Sequence, residues 1–122
     1  MPQRRQREDK IKPTRSYSKA QESRVASKFG GTRTPGSGST PFIKGDVNLD
    51  DASMLVECKT KVTSSSSITI HKEWLEKNEK EALFMGKQYS TVAFNFGPNE
   101  KNYYIIDEYL FESLVKMLQG KE

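Results

Sequence analysis

The sequence predicts an α/β fold, a mixed sheet flanked by helices, and three observations carry that expectation. Near the C-terminus Leu110, Phe111, Leu114, Val115 and Leu118 recur at the helical period of about 3.6 residues. Residues 44–60 and 89–106 break instead into short apolar stretches, separated by Gly, Pro, Asn and Asp. Between those stretches lies a helical pattern over residues 72–86, so strands and helices alternate along the chain.

Taken in order, residues 1–17 read as a basic flexible arm and residues 18–122 as the folded domain. Before Phe29 there is almost nothing to bury apart from Ile11, Tyr17, Val25 and Ala26, so folding is expected to begin near Ser18. A first helix is predicted over Ser18–Phe29, with Val25, Ala26 and Phe29 on one stripe and Gly30-Gly31 as its stop. Thr32–Thr34 is a short extended piece. The following Pro35-Gly36-Ser37-Gly38-Ser39-Thr40-Pro41 has turn chemistry that neither a helix nor a central strand admits, which makes it a candidate functional loop. Strands are predicted at Lys44–Leu49 and Met54–Thr60. Thr63–Ser67 is a polar, mobile loop near the end of the second. A helix over Lys72–Gly86 carries Trp74, Leu75, Ala82 and Met85 toward the core. Tyr89–Phe96 and Asn102–Ile106 then form a hairpin around Gly97-Pro98-Asn99, and Asp107–Leu118 closes the chain as a helix. The predicted order is αβββαββα.

The turn between the first two long strands has a consequence for chemistry. If Asp50 pairs with Ser53 across an Asp51-Ala52 tip, Asp46 lies directly opposite Glu57 on the same face. Lys59, two residues beyond Glu57, points from that face too, while Val47, Leu49, Met54, Val56 and Cys58 fall on the other and can bury. Two facing carboxylates repel and resist burial unless something compensates. A divalent cation does so with hard oxygen ligands, here Asp46, Glu57 and the backbone carbonyl of Cys58, with Glu22 of the first helix within reach of the same or a second ion. Lys59 would then hold a water beside the metal or offset charge on a scissile phosphate. A lone Glu-x-Lys means nothing; the combination of Gly45-Asp46 opening one strand and Glu57-Cys58-Lys59 closing the next is what carries the signal.

Charge divides the chain. Residues 1–44 hold eleven basic and three acidic side chains, a net of +8, so the other residues carry −4 of the total +4. A basic N-terminal block beside an acidic remainder suggests a polyanionic partner; the alternative is a solvated tail. The single Cys58 excludes an intrachain disulfide and fits a reducing compartment. No apolar run is long enough for a membrane span, and no apolar stretch follows the N-terminal charges as in a secretory signal, so a cytoplasmic, DNA-associated protein is expected.

Lys44-Gly45-Asp46 followed by Leu55-Val56-Glu57-Cys58-Lys59 resembles the PD-(D/E)xK nuclease signature, with Gly45 where Pro is usual. Arg33-Thr34-Pro35-Gly36-Ser37-Gly38-Ser39 upstream is similar to the loop of archaeal-type and viral Holliday junction resolvases. The likeness covers about residues 21–96. It implies a restriction-endonuclease-like fold, dependence on Mg²⁺ with Mn²⁺ able to substitute, and a homodimer that sets two active sites on a four-way DNA junction. By position Glu22 matches the family's helix-one acid, Asp46 and Glu57 its metal ligands, and Lys59 its catalytic lysine. Arg33, Gly36, Ser37, Gly38 and Ser39 match the phosphate-side loop. Lys44, Lys61, Lys72, Arg15 and Arg24 are the further candidates for DNA contact.

The expected activity is thus a structure-selective endodeoxyribonuclease that nicks branched DNA symmetrically. Its rivals are a nuclease of the same superfamily acting on flaps, ends or single strands, a non-catalytic DNA-binding module, and a restriction-type enzyme, for which the chain has little spare length. His71 and Trp74 read as structural, and Tyr103 and Tyr104 form no stacking stripe of the single-strand-binding kind.

Overall fold

A computed structural model describes residues 13–34 and 46–121, with side chains from residue 17 onward. The elements run α1 (Pro13–Phe29), β1 (Thr32–Arg33), β2 (Val47–Leu49), β3 (Met54–Lys59), α2 (Lys72–Phe84), β4 (Tyr89–Phe94), β5 (Tyr103–Ile105) and α3 (Glu108–Leu118). This is an α/β chain in the expected element order, with one five-stranded mixed sheet ordered β1-β2-β3-β4-β5. Only β3 and β4 pair in parallel. Parallel neighbours need a long crossover, and the 13-residue α2 lies within it. None of the described helices is long and apolar enough to cross a membrane.

One boundary moves substantially. Helix α1 runs from Pro13 rather than Ser18, so residues 13–17, assigned by composition to the arm, are helical. Proline fits a first helical turn, where its missing N–H would have had no intrahelical partner. The stop is as expected: Gly30 takes a φ of +69°, and the Gly31 N–H returns to the Ala26 carbonyl at 2.8 Å.

The predicted register holds. Leu49 pairs with Met54 and Val47 with Val56. Asp50–Ala52 form a single 3₁₀ turn, closed by the Ser53 N–H donating to the Asp50 carbonyl at 3.0 Å. Alternation therefore sends Val47, Leu49, Val56 and Cys58 to one face, where with Val25 and Ala93 they make the core beneath α1. On the opposite face Leu55 and Val92 are buried beside Asn78 and Ala82 of α2. The Asn78 amide donates to the Thr91 carbonyl at 2.9 Å, tying α2 to β4.

Gly31 admits no side chain. A Cβ there would stand 2.8 Å from the Asn48 carbonyl oxygen and collide with the Leu49 side chain. Gly31→Ala is expected to cost about 1–3 kcal/mol through overpacking, read as a lower urea midpoint with an unchanged slope. An unchanged midpoint would mean that the α1–β1 turn shifts freely.

Candidate active site

Asp46 stands just before β2 begins, and its backbone is clamped from two sides. Its N–H donates to the Val56 carbonyl at 3.2 Å and its carbonyl accepts from the Thr34 N–H at 3.2 Å. Val56 already pairs with Val47, so Asp46 and Val47 lie against one residue of β3, a local bulge of the kind that re-aims a side chain. The simple register placed Asp46 squarely across from Glu57; the structure corrects this, since the ladder closes at Val47 and Asp46 sits in a bend. The carboxylate turns along β3 and accepts from the Cys58 N–H at 2.7 Å. That amide lies beyond the last β2–β3 pair, and the side chain satisfies it where the ladder has stopped.

Glu57 and Lys59 share a face of β3 as expected, with Lys59 Nζ 3.1 Å from Glu57 Oε2. Lys59 Nζ also stands 4.7 Å from the centroid of the Trp74 ring, a cation–π distance. Trp74 was expected in the core. It is instead half-buried at the start of α2, between Lys59 and the His71 ring 5.0 Å away. Cys58 faces the other way into the core. Burial, then the charge of Asp46, push its thiol above the usual range, which disfavours the thiolate.

Helix α1 supplies the third acid. Glu22 Oε1 accepts from Arg33 Nε at 3.2 Å, and Glu22 Oε2 accepts from the Ser18 hydroxyl at 3.1 Å. The residue that docks this stretch of α1 is one that the sequence pattern does not reveal. Gln21 is 1 % exposed. Its amide nitrogen lies 3.0 Å from the Lys59 carbonyl, 3.3 Å from the Ala93 carbonyl and 3.0 Å from Asn102 Oδ1. Asn95 extends the network, accepting from the Thr60 hydroxyl at 2.7 Å and donating to Asn102. The end of the Lys59 strand is thus bonded to the helix that presents Glu22.

Electrostatics tie these groups together. Burial raises the Asp46 carboxyl to about 6; the Cys58 amide opposes the rise, Glu22 and Glu57 add to it, and Lys59 opposes it. A raised folded value means that the unfolded chain loses this proton first. Stability therefore falls as pH climbs from about 4 to about 6, and the deficit persists above that window. Asp46→Asn, which keeps the bond from Cys58, is expected to stabilise the metal-free protein by about 1–2 kcal/mol at pH 8 and by nothing near pH 4. Urea unfolding at the two pH values checks this, and a variant weaker than its parent at pH 8 would refute it.

Among the described residues no three of His, Cys, Asp and Glu converge as a metal-holding set. Each acid instead has its own partner: Arg33 for Glu22, the Cys58 amide for Asp46, Lys59 for Glu57. Of the other expected contacts, Arg24 is exposed and reaches the Glu100 carbonyl at 3.4 Å, Lys61 follows β3 half-buried, and Lys72 is exposed, 4.0 Å from Glu76. The loop after β3, expected to be mobile, is fastened: the Ser65 N–H donates to the Phe96 carbonyl at 2.8 Å, and the Ser64 hydroxyl donates to Glu100 at 2.7 Å. Gly36, Ser37, Gly38, Ser39 and Lys44, and the Arg15 side chain, lie outside the described residues.

Comparison with family models, with curated proteins and with solved structures finds no significant match to this chain.

Proposed function

We propose that the protein is a metal-dependent DNA endonuclease with a restriction-endonuclease-like fold, acting on four-way junctions as a resolvase-type homodimer. The observation that carries this reading is the electrostatic cluster where β2 begins and β3 ends. Four elements of the chain contribute to it: Glu22 from α1, Arg33 from β1, Asp46 after the loop, and Glu57 with Lys59 from β3.

The donor set suits Mg²⁺, which keeps several waters and is held by one or two carboxylates rather than an all-protein cage. Asp46 is largely withdrawn from water and holds its proton more tightly than a free carboxyl, the condition a cation relieves. Asp46, Glu57 and the Cys58 carbonyl would hold the ion; when bound it supplies an activated water and charge neutralisation for phosphodiester hydrolysis. The chain's own groups do the rest. Lys59, steadied by Glu57 and Trp74, presents its ammonium to the attacking water or the phosphate. Arg33 offers guanidinium donors beside Glu22, and the basic residues of the arm hold the DNA backbone.

The test is cleavage of a labelled synthetic four-way junction beside a matched duplex, flap and single strand, with Mg²⁺ and with EDTA. Paired, symmetric, metal-dependent nicks confined to the junction are expected. Metal-dependent cleavage of flaps or ends instead keeps the site and removes the junction selectivity. Binding without cleavage of any substrate refutes the enzyme.

A further inference from the structure

The last helix carries its apolar face beyond the body that should cover it. Along the row spaced by four residues, exposure climbs from 7 % at Leu110 to 41 % at Leu114 and 88 % at Leu118. Met117 and Phe111, beside that row, are 70 % and 59 % exposed. Leu110 alone is buried in α3, so the helix is anchored at its first turns and its second half projects. A helix of 11 residues is marginal on propensity alone and depends on packing of its apolar face.

Beside the projecting half runs an apolar groove of about 420 Å³, floored by Leu49, Met54 and Val56 and walled by Phe29, Tyr104 and Leu114. Phe29 and Tyr104 meet edge-on at 5.9 Å along its rim. At roughly 200 Å² per fully exposed large side chain, Phe29, Tyr104, Phe111, Leu114, Met117 and Leu118 present on the order of 700 Å² of surface along the groove and the helix beside it. That exceeds the largest patch of an ordinary monomer, about 300–600 Å², and approaches the roughly 800 Å² per partner of a stable interface.

We propose that this face binds a second copy of the chain, the projecting half of α3 from each protomer lying in the other's groove. A row and a groove that adjoin on one surface are self-complementary under a two-fold axis, the requirement of an isologous interface. Among the described residues the groove lining holds one charged side chain, Asp51, and no Lys or Arg, so it offers no attraction to a nucleic acid. Outside the described residues only Met1, Ile11, Phe42 and Ile43 are large and apolar, too few to fill the groove and cover the helix face together. The proposal supplies the surface that the two-copy resolvase reading requires and in that respect rests on it, although the packing argument is independent of any chemistry.

The experiment is sedimentation velocity of the full chain over roughly two decades of micromolar concentration, without DNA or metal, for the parent and for Leu118→Glu and Met117→Glu. Both positions are exposed in the protomer, so far-UV circular dichroism should be unchanged. A dimeric parent and a dissociation constant raised at least about 100-fold in each variant are expected. A parent that is monomeric throughout, or variants that dimerise as the parent does, overturns the proposal. A dimer that cleaves no DNA would leave this surface standing and remove the nuclease; a cleaving monomer would do the reverse.

Discussion

Glu57→Gln is expected to lower metal-dependent cleavage of a four-way junction by on the order of 10³-fold while leaving the protein folded. Gln keeps the shape of the side chain but removes its charge, so an ion held there would lose an anionic ligand and Lys59 loses the carboxylate 3.1 Å from its Nζ. The released ammonium is partly exposed and stays against Trp74, so its interaction is screened and the stability change should stay within about 1 kcal/mol. Trp74 is the only tryptophan and lies against Lys59, so its fluorescence would report an ion bound beside that side chain. In the parent, Mg²⁺ should shift that emission with a saturable dependence; in Glu57→Gln the midpoint should move to much higher concentration. Single-turnover cleavage read beside the fluorescence titration separates lost metal from lost chemistry. A Glu57→Gln protein that cleaves as fast as its parent would end the assignment of this carboxylate.

Gln21→Leu is expected to destabilise the protein by about 1–3 kcal/mol. The side chain is buried, and its amide serves the Lys59 carbonyl, the Ala93 carbonyl and Asn102 together. A leucine fills similar volume, so packing is nearly conserved and the cost falls on polar atoms left without a donor, about 1–3 kcal/mol for each buried group. The amide has two hydrogens and Asn102 keeps the bond from Asn95, so the loss corresponds to one or two such bonds, offset in part by removal of the unpartnered Gln21 Oε1. Chemical denaturation measures it directly, and a shift below about 0.5 kcal/mol would show that the network tolerates removal of its central member. Because Gln21 bonds the end of the Lys59 strand to the helix presenting Glu22, residual cleavage should fall even under conditions where the variant is fully folded.

Much of this architecture was legible before any tertiary structure. The apolar alternation of Val47, Leu49, Val56 and Cys58 assigned a buried face to the first hairpin, and those residues form the core. The Asp50–Ser53 turn set the register, because a strand pairing is determined by its tightest connection. The pairing of Glu57 with Lys59 follows from a side-chain period of two, a local property of extended backbone. Gly30-Gly31 marked the end of α1 through the left-handed conformation that only glycine takes at little cost.

Other features depend on contacts between distant residues, which no local pattern encodes. The bend that carries Asp46 off the ladder and onto the Cys58 amide arises from two backbone bonds, one to Thr34 and one to Val56. Gln21 looks like any polar helical residue until β3, β4 and Asn102 close around it. Trp74 leaves the core for Lys59 because α2 starts beside the end of β3. The last helix shows the division most clearly. Its periodicity determined that residues 108–118 are helical, since hydrogen bonding and spacing are properties of the segment itself. Whether its apolar face finds cover depends on what the rest of the chain places against it, and here Leu110 is buried while Leu118 stays exposed.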